Sequence, residues 1–228
     1  MSLGDRYREI VERAGAAAER SGRSASEVSV VAVSKTFPVD VIARGRDEGI
    51  EIFGENRAQE LKQKASILGE GMRWHFIGPL QSNKVRQVVG IADLIHSVDR
   101  FGLAEAIARR ARSEGIAQEV LVEVNISGET SKHGIEPPAA VAFALEISKL
   151  EGINVRGLMT MTPLSDPEGA RHHFRSLASL GAGLANELPG ATHLSMGMSR
   201  DFEVAVEEGA TIVRVGEAIF GPRANRPS

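Results

Sequence analysis

Lys35 is the first residue of this sequence whose type and place suggest chemistry. It follows VSVVAV, an apolar run that ends at Val33. A lysine at the end of a buried strand is partly desolvated, which lowers its proton affinity and makes the amine a usable nucleophile. The alternative is a solvated lysine that merely follows a strand. Position alone leaves both interpretations open.

A second group of candidate residues lies in the last part of the chain. Two glycine-containing turns, HLSMGMSRD and VRVGEAIFG, follow the last two apolar runs. Turns of this kind and the first amides of a short helix commonly bind phosphate. Ser199 can donate its hydroxyl to such a group, and the amides around Gly216 and Glu217 can complete the cradle. The alternative is that Gly197 and Gly216 are ordinary turn glycines.

Four further residues stand at or just beyond the predicted ends of apolar runs: Asn56, His75, Asn125 and Met159. Each is a candidate binding residue, because the carboxyl ends of barrel strands converge on one face. Asn56 has the alternative role of capping the helix that follows it, and Met159 that of filling the core. Asp40 and residues 171–173 fall on predicted helices, where a solvated face is the better explanation.

The elements that must position these residues alternate between apolar runs and helical patterns. The runs are rich in valine and isoleucine, which is typical of strands buried on both faces. Eight strands are predicted, at 28–36, 51–55, 73–78, 94–99, 120–126, 155–161, 192–197 and 211–216. Helical periodicity extends over 101–114, 139–150 and 168–187, and a further helix over 5–19 precedes the first strand.

This alternation predicts an α/β fold, a single TIM (β/α)₈ barrel with an extra N-terminal helix. The barrel, about 28–221, and the helix, about 5–19, are expected to form one domain over 1–228. The alternative is a doubly wound open sheet, which usually carries a glycine-rich first turn. That turn is SKTFP here and lacks G-x-G-x-x-G, so the barrel is favoured.

Composition narrows the classes of function. The chain has no cysteine, so disulfides, thiolate nucleophiles and cysteine metal sites are excluded, and no histidine pair has convincing ligand spacing. A net charge of -3 and 4% aromatic residues argue against a nucleic-acid surface. No run approaches the roughly 20 apolar residues of a membrane span, and the charged start is unlike a secretory signal. We expect a cytoplasmic protein with a small-molecule partner and no metal.

Several segments together resemble one known family. The resemblance is carried by VAVSKTFP, FGENRAQE, WHFIGPLQSNK, HSVDR, VNISGETSKHGI, GLMTM and LSMGMSRDFEVAVEEGATIVRVGEAIFG. These motifs are similar to those of the pyridoxal phosphate homeostasis proteins, an alanine-racemase-like family also called proline synthetase co-transcribed proteins. The similarity covers about 28–221, and it implies the barrel of the alanine racemase N-terminal domain with pyridoxal 5'-phosphate as cofactor.

The resemblance also implies how the cofactor is held at its reactive end and ring. Lys35 would hold it as a Schiff base, with Asn56 beside it. Arg214 would face the pyridine nitrogen. Lys132 matches a lysine that relatives are thought to use in cofactor exchange.

The remaining implied contacts are to the phosphate and to the faces of the ring. Ser199 and the amides near Gly216 and Glu217 would bind the phosphate. Met159 and Met198 would line the ring pocket.

The sequence favours a binding protein over an enzyme. Enzymes that use this cofactor as an electron sink usually keep its ring nitrogen protonated with a carboxylate, whereas Arg214 cannot accept that proton. Two-base racemisation also needs a group opposite Lys35. In alanine racemases this is a tyrosine from a C-terminal domain, but the single tyrosine here, Tyr7, belongs to the predicted N-terminal helix. The second base is missing unless a histidine serves.

We therefore expect a protein of intracellular cofactor homeostasis that buffers or delivers pyridoxal phosphate and affects amino-acid and keto-acid metabolism indirectly. Pyridoxal-phosphate-dependent apoenzymes are the expected recipients, and a monomer is the expected state. A slow amino-acid racemase or transaminase is the alternative function. A phosphate-binding barrel enzyme without this cofactor is a third class, which would leave the Lys35 motif unused.

Overall fold

Eight parallel strands form a closed barrel in the computed structural model of this protein. The structure describes residues 1–129, 133–162 and 166–222. The strands are β1 Ser29–Val33, β2 Ile52–Glu55, β3 Arg73–Phe76, β4 Leu94–Val98, β5 Gln118–Glu123, β6 Ile153–Met159, β7 His193–Met198 and β8 Ile212–Val215. They pair in chain order, and β8 pairs with β1 to close the sheet. The predicted (β/α)₈ barrel is confirmed, since an open sheet would leave two unpaired edges.

Helices surround this barrel in the described part of the chain. They are α1 Leu3–Arg20, α2 Val39–Asp47, α3 Ala58–Leu68, α4 Phe101–Ser113, α5 Pro137–Ile147, α6 Pro167–Glu187, α7 Phe202–Glu207 and α8 Glu217–Phe220. Short 3₁₀ helices stand at Ala25–Glu27 and Ser82–Gln87, the second in place of a full helix between β3 and β4. Within the described ranges no helix is both long enough and apolar enough to cross a bilayer.

The extra helix α1 begins where the sequence supplies a capping box. Ser2 Oγ accepts the backbone N–H of Asp5, and the Asp5 carboxylate accepts the N–H of Ser2. The buried face of α1, which includes Tyr7 and Ile10, contacts α7, α8 and β1. The helix therefore covers the side of the barrel where the last strand meets the first.

One layer of apolar side chains fills the barrel interior. It consists of Val31, Ile52, Leu94, Leu121, Met159 and Ile212, which come from six different strands. Val31 precedes Val33 by two positions and Ile212 precedes Arg214 by two, so each pair shares one side of its strand. The layer is therefore the floor beneath the residues at the carboxyl ends of the strands.

Four predicted strands, the first, third, fifth and sixth, end two or three residues earlier than the sequence suggests. The first, predicted over 28–36, ends at Val33, because Thr36 has a φ of 71° that an extended strand cannot contain. The fifth and sixth end two or three residues before their predicted limits, since the chain there already turns into the loops at the barrel mouth; they are Gln118–Glu123 and Ile153–Met159.

Candidate functional site

A cavity opens at the carboxyl ends of the strands. Its volume is ≈ 470 Å³, within the roughly 300–1,000 Å³ of small-molecule sites. Its walls come from the ends of β1, β2, β3, β6, β7 and β8: Val33, Lys35, Phe37, Asn56, Ile77, Met161, Met198, Ser199, Arg200, Asp201, Arg214, Gly216, Glu217, Gly221 and Pro222. The predicted binding residues are thus brought together, with the exception of His75, Asn125 and Met159.

Lys35 reaches the cavity from the turn after β1. This strand lies between β2 and β8, so the lysine stands beside the wall formed by the last strand. Its side chain is half-buried. Next to it, the rings of Phe37 and Phe220 stack with their centres 4.9 Å apart and join the turn to α8. The amine therefore has the partly desolvated setting that favours a nucleophile.

The turn after β7 presents Ser199 to the cavity. Asp201 fixes this turn, because its Oδ1 atom accepts the N–H of Met198 at 2.6 Å. Gly197 has a φ of 90°, and a β-carbon there would lie 2.5 Å from the side chain of Ala205 in α7. Glycine is required at this position by the close approach of strand and helix, which goes beyond an ordinary turn.

The turn after β8 faces Ser199 across the same cavity. Gly216 and Glu217 line it, and Glu217 begins α8. A β-carbon on Gly216 would lie 3.1 Å from the carbonyl oxygen of Val33, so a glycine lets β8 pass close to β1. The hydroxyl of Ser199 and the backbone near Gly216 therefore converge on one volume, as a phosphate cradle would need.

Arg214 is a buried charge on the wall of the cavity. Its side chain is buried, and its guanidinium donates from Nη1 to Ser195 Oγ at 2.5 Å and from Nη2 to the Thr160 carbonyl at 2.9 Å. Burial lowers its pKa to about 10. Both of these partners are neutral, and the charges of Glu123 and Asp201 act on the guanidinium without a direct hydrogen bond to it. A buried guanidinium whose hydrogen-bond partners are neutral is stabilised further when a ligand supplies an additional acceptor.

A chain of hydrogen bonds continues from Arg214 into the barrel interior. Ser195 Oγ lies 2.9 Å from His96 Nδ1, and His96 Nε2 lies 3.0 Å from His75 Nδ1. The guanidinium can only donate, so the serine oxygen accepts from it. Ser195 thereby links the charge of Arg214 to the imidazole pair of His96 and His75.

The two histidines of this hydrogen-bond chain, His75 and His96, are neutral near neutral pH. Burial lowers the pKa of His75 to about 3 and lowers the pKa of His96 well below its ordinary value. The sequence places His75 at a strand end as a binding candidate, whereas the structure places its ring in this buried chain. His96 was missed, although a histidine inside the strand LIHSV is an unusual core residue.

Asn56 lines the cavity with an unsatisfied polar atom. Its Oδ1 is buried and has no hydrogen-bond partner. Helix α3 takes Arg57 as its N-cap, so the alternative role of Asn56 as a helix cap is wrong. A β-carbon on Gly78 would lie 2.1 Å from the Asn56 carbonyl oxygen, which explains a glycine after β3. The unsatisfied oxygen is a further place for a ligand donor.

Several other candidates stand elsewhere. Met159 is fully buried in the floor layer, and the half-exposed Met161 lines the cavity instead. Asn125 donates from Nδ2 to the Glu129 carbonyl within its own loop. Tyr7 lies in α1 and its hydroxyl donates to a carbonyl of β1, so it is not a second base at the cavity. Lys132 lies outside the described residues.

Glu123 is a buried carboxyl at the end of β5 that sequence reasoning missed. Burial, and then the charge of Asp99 at the end of the neighbouring strand, raises its pKa to about 7. The charges of His133 and Arg214 act in the opposite direction. An acidic residue inside the apolar run VLVEV was the available signal.

Replacing Glu123 with glutamine should make stability less sensitive to pH in the neutral range. The wild-type carboxyl binds its proton more tightly in the folded state, so its contribution is present below pH 4.5 and lost as the pH rises through about 7. The span corresponds to about 3 kcal/mol. Denaturant unfolding at pH 4.5 and 8 should show that the free energy of unfolding of the variant, relative to that of the wild type, rises by about that amount between the two pH values. A constant difference would contradict the buried protonated state.

Comparison with known proteins agrees with this geometry. Residues 13–224 match the family model for the alanine racemase N-terminal domain. A pyridoxal phosphate homeostasis protein of Aquifex aeolicus (strain VF5) is 45% identical over 226 residues, which cover 98% of this chain and 99% of the relative. The protein of the same name from Escherichia coli (strain K12) is 40% identical over 221 residues, 94% of each chain. This chain belongs to the pyridoxal phosphate homeostasis protein family.

Solved structures show that this chain is similar to a member of the same family and to alanine racemase. PipY of Synechococcus elongatus PCC7942, determined with PLP bound, has a TM-score of 0.82 at 34% identity and covers 96% of this chain and 100% of that one. An alanine racemase of Clostridium difficile 630 has a TM-score of 0.70 at 17% identity, over 94% of this chain and 57% of the racemase. The pyridoxal phosphate homeostasis family therefore shares the racemase barrel fold, and at that identity the likeness extends to the fold alone.

Proposed function

We propose that this protein binds pyridoxal 5'-phosphate at the barrel mouth and buffers or delivers it in the cytoplasm. The observation that carries the proposal is the single cavity that joins the amine of Lys35, the hydroxyl of Ser199 and the guanidinium of Arg214. The names of the relatives and the PLP-bound PipY structure support it. We propose further that the protein acts as a monomer, with the barrel as its one cofactor-binding domain, and that apoenzymes are the recipients.

The donors and acceptors of the cavity fit this group. An aldehyde reacts with a primary amine, a phosphate accepts hydrogen bonds from hydroxyls and amides, and a pyridine nitrogen accepts from a guanidinium. Lys35, Ser199 with the backbone near Gly216, and Arg214 supply these partners. The unsatisfied oxygen of Asn56 offers an acceptor for a hydroxyl of the ligand.

Lys35 would make the covalent attachment. When the cofactor is bound, the side-chain amine would hold its aldehyde carbon covalently as a Schiff base. The bound group supplies an electron sink. Arg214 would orient the ring nitrogen by donating to it and, because a guanidinium is already protonated, would not accept a proton from it. The sink is therefore weak, which suits storage better than turnover.

The racemase and transaminase alternative lacks a supporting feature in the described lining of the cavity. That lining contains no histidine and no tyrosine. Of its two carboxylates, Asp201 is engaged with the turn after β7, and Glu217 begins α8 beside the proposed phosphate cradle. A two-base exchange of an α-proton needs an acid or base on the face opposite Lys35. The buffering or delivery role is accordingly the function that we propose.

Exchange of α-protons tests this choice. Cofactor-loaded protein is incubated with a panel of L-amino acids in D₂O, and loss of the α-proton signal is followed by NMR with the Lys35→Ala variant as control. Absence of exchange across the panel is the expected result. Lys35-dependent exchange at a catalytically useful rate would instead make the protein an enzyme.

Delivery is tested by mixing the loaded protein with an apoenzyme that needs this cofactor. A phosphatase that hydrolyses free pyridoxal phosphate is added to suppress transfer through solution. Direct delivery predicts that activity of the apoenzyme recovers in spite of the phosphatase. Recovery that the phosphatase abolishes would reduce the role to buffering by release, and size-exclusion chromatography with light scattering tests the monomer.

Ser199→Ala should weaken cofactor retention by about 1–2 kcal/mol through loss of one phosphate hydrogen bond. Equilibrium dialysis with pyridoxal phosphate measures the change. Ser176→Ala removes an exposed hydroxyl on α6 and serves as the matched control. Equal affinities of the two variants would show that backbone amides alone hold the phosphate.

A further inference from the structure

The turn that carries Lys35 is held in a strained conformation. Thr36 directly follows the lysine and has a φ of 71°; among the described residues it is the only non-glycine residue with a positive φ. A β-branched residue rarely adopts this region, and such strain persists only where the surroundings enforce it. Strained backbone of this kind is concentrated at functional sites, so the contacts that enforce it are informative.

Two side chains of α3 hold the peptide groups on either side of Lys35. Glu60 Oε2 accepts the backbone N–H of Thr36 at 3.1 Å. Lys64 Nζ donates to the backbone carbonyl of Ser34 at 3.0 Å. Glu60 and Lys64 are four positions apart, so they share one face of the helix. The segment Ser34 to Thr36 is therefore attached to α3 both before and after the lysine.

A buried ion pair anchors this attachment to β2. Lys64 Nζ lies 2.7 Å from Glu55 Oε1, and the same oxygen accepts the Ser34 hydroxyl at 2.7 Å. Glu55 is fully buried and Lys64 is 6% exposed. A buried pair costs desolvation and is weak evidence for stability, but it fixes a unique geometry. Glu55 is the last residue of β2, so the anchor is part of the barrel itself.

We infer that Glu60 and Lys64 are positioning residues that hold the turn after β1 and so aim the amine of Lys35 into the cavity. The inference rests on the proposed function, because it concerns attack of this amine on the aldehyde of pyridoxal phosphate. Neither residue is among those that line the cavity in the described structure. Their loss should therefore slow formation of the C=N bond and leave non-covalent binding of phosphate and ring intact.

The test separates attachment from binding with two ligands. Pyridoxal 5'-phosphate reports the rate of C=N formation, through its visible absorbance and through borohydride fixation to Lys35. Pyridoxine 5'-phosphate lacks the aldehyde and reports non-covalent affinity. Glu60→Ala should slow attachment about tenfold and change the pyridoxine phosphate affinity by less than about twofold. Glu60→Gln retains an oxygen acceptor for the Thr36 N–H and should restore most of the rate.

A second variant tests the strain directly. Glycine adopts a positive φ at no steric cost, so adding Thr36→Gly to Glu60→Ala should recover much of the lost rate. Lys64→Met leaves Glu55 buried without its cation, so it is combined with Glu55→Gln to keep the site neutral. Lys62→Met, on the exposed face of the same helix, is its matched control. Circular dichroism verifies that each variant folds.

Three results would overturn the positioning role: an unchanged attachment rate in Glu60→Ala, an equal loss of affinity for both ligands, or no recovery with Thr36→Gly. The proposed function fails in a different way. In that case the wild-type protein would bind neither ligand, and no lysine would be fixed by borohydride.

Discussion

Lys35→Ala is expected to abolish the Schiff-base absorbance of the cofactor-loaded protein and its covalent fixation by borohydride. Lys35 contributes an amine to the described lining of the cavity, and without a primary amine no C=N bond to the protein can form there. The partners proposed for phosphate and ring remain, so the variant should still bind pyridoxal phosphate non-covalently with reduced affinity. Equilibrium dialysis and absorbance spectra measure these two properties separately.

Two controls define this result. Lys35→Arg keeps the positive charge but offers no primary amine, so it should also lack the band. Methylamine added to Lys35→Ala supplies a small amine in the space vacated by the lysine and should restore an absorbance of the same kind, not fixed to the protein. Retained covalent fixation in Lys35→Ala would move the attachment to another lysine, with Lys64 the first to test because it contacts the same turn.

Acidification is expected to destabilise the protein strongly because His75 and His96 are buried in neutral form. The pKa of His75 falls from 6.5 to about 3, and that of His96 also lies well below its ordinary value. Their contribution is therefore present above pH 6.5 and lost as the pH falls towards the folded-state value. For His75 alone the loss is roughly 5 kcal/mol, comparable with the typical stability of about 5–15 kcal/mol.

Denaturant unfolding between pH 8 and 4 tests this expectation. Glu123 acts in the opposite direction between about pH 7 and 4.5, but one carboxyl offsets only one histidine. His75→Gln should reduce the slope of stability against pH, whatever its effect on absolute stability. His172→Gln removes an exposed histidine on α6 and should leave the slope unchanged. Equal slopes in all three proteins would mean that the buried histidines can be protonated without unfolding the protein, which would contradict the prediction.

The barrel could be predicted from the sequence because parallel strands buried on both faces leave a simple record. Runs such as VSVVAV and VLVEV are apolar at nearly every position, and eight of them alternate with helical patterns. Strand ends were less certain. The lysine motif SKTFP continues the first run in sequence, but Thr36 turns the chain in a way that side-chain type does not reveal.

The same limit applies to the candidate site. Lys35 and Ser199 were found because each stands at a strand end next to a turn, whereas Arg214 was named only through the family resemblance. The roles of all three towards the cofactor stay predictions. Met159 was predicted to line the ring pocket, but it is the last residue of β6 and lies in the floor layer, whereas Met161, two residues further along the chain, lines the cavity. Contacts between distant segments, such as the contact of Lys64 with Ser34, cannot be predicted from a local sequence pattern.

The pairing of β8 with β1 has a consequence for the order of events during synthesis. Val31 pairs with Arg214 and Ala32 with Val215, so the cavity straddles a seam between the two strands that lie farthest apart along the chain. A growing chain makes β1 first and β8 last, and the walls carrying Lys35 and Arg214 cannot meet until the barrel closes. A ligand of this cavity therefore stabilises only completed barrels, in proportion to its concentration relative to its dissociation constant. The supply of pyridoxal phosphate would then affect how much newly made protein stays folded, independently of any later role of the protein in delivering the cofactor.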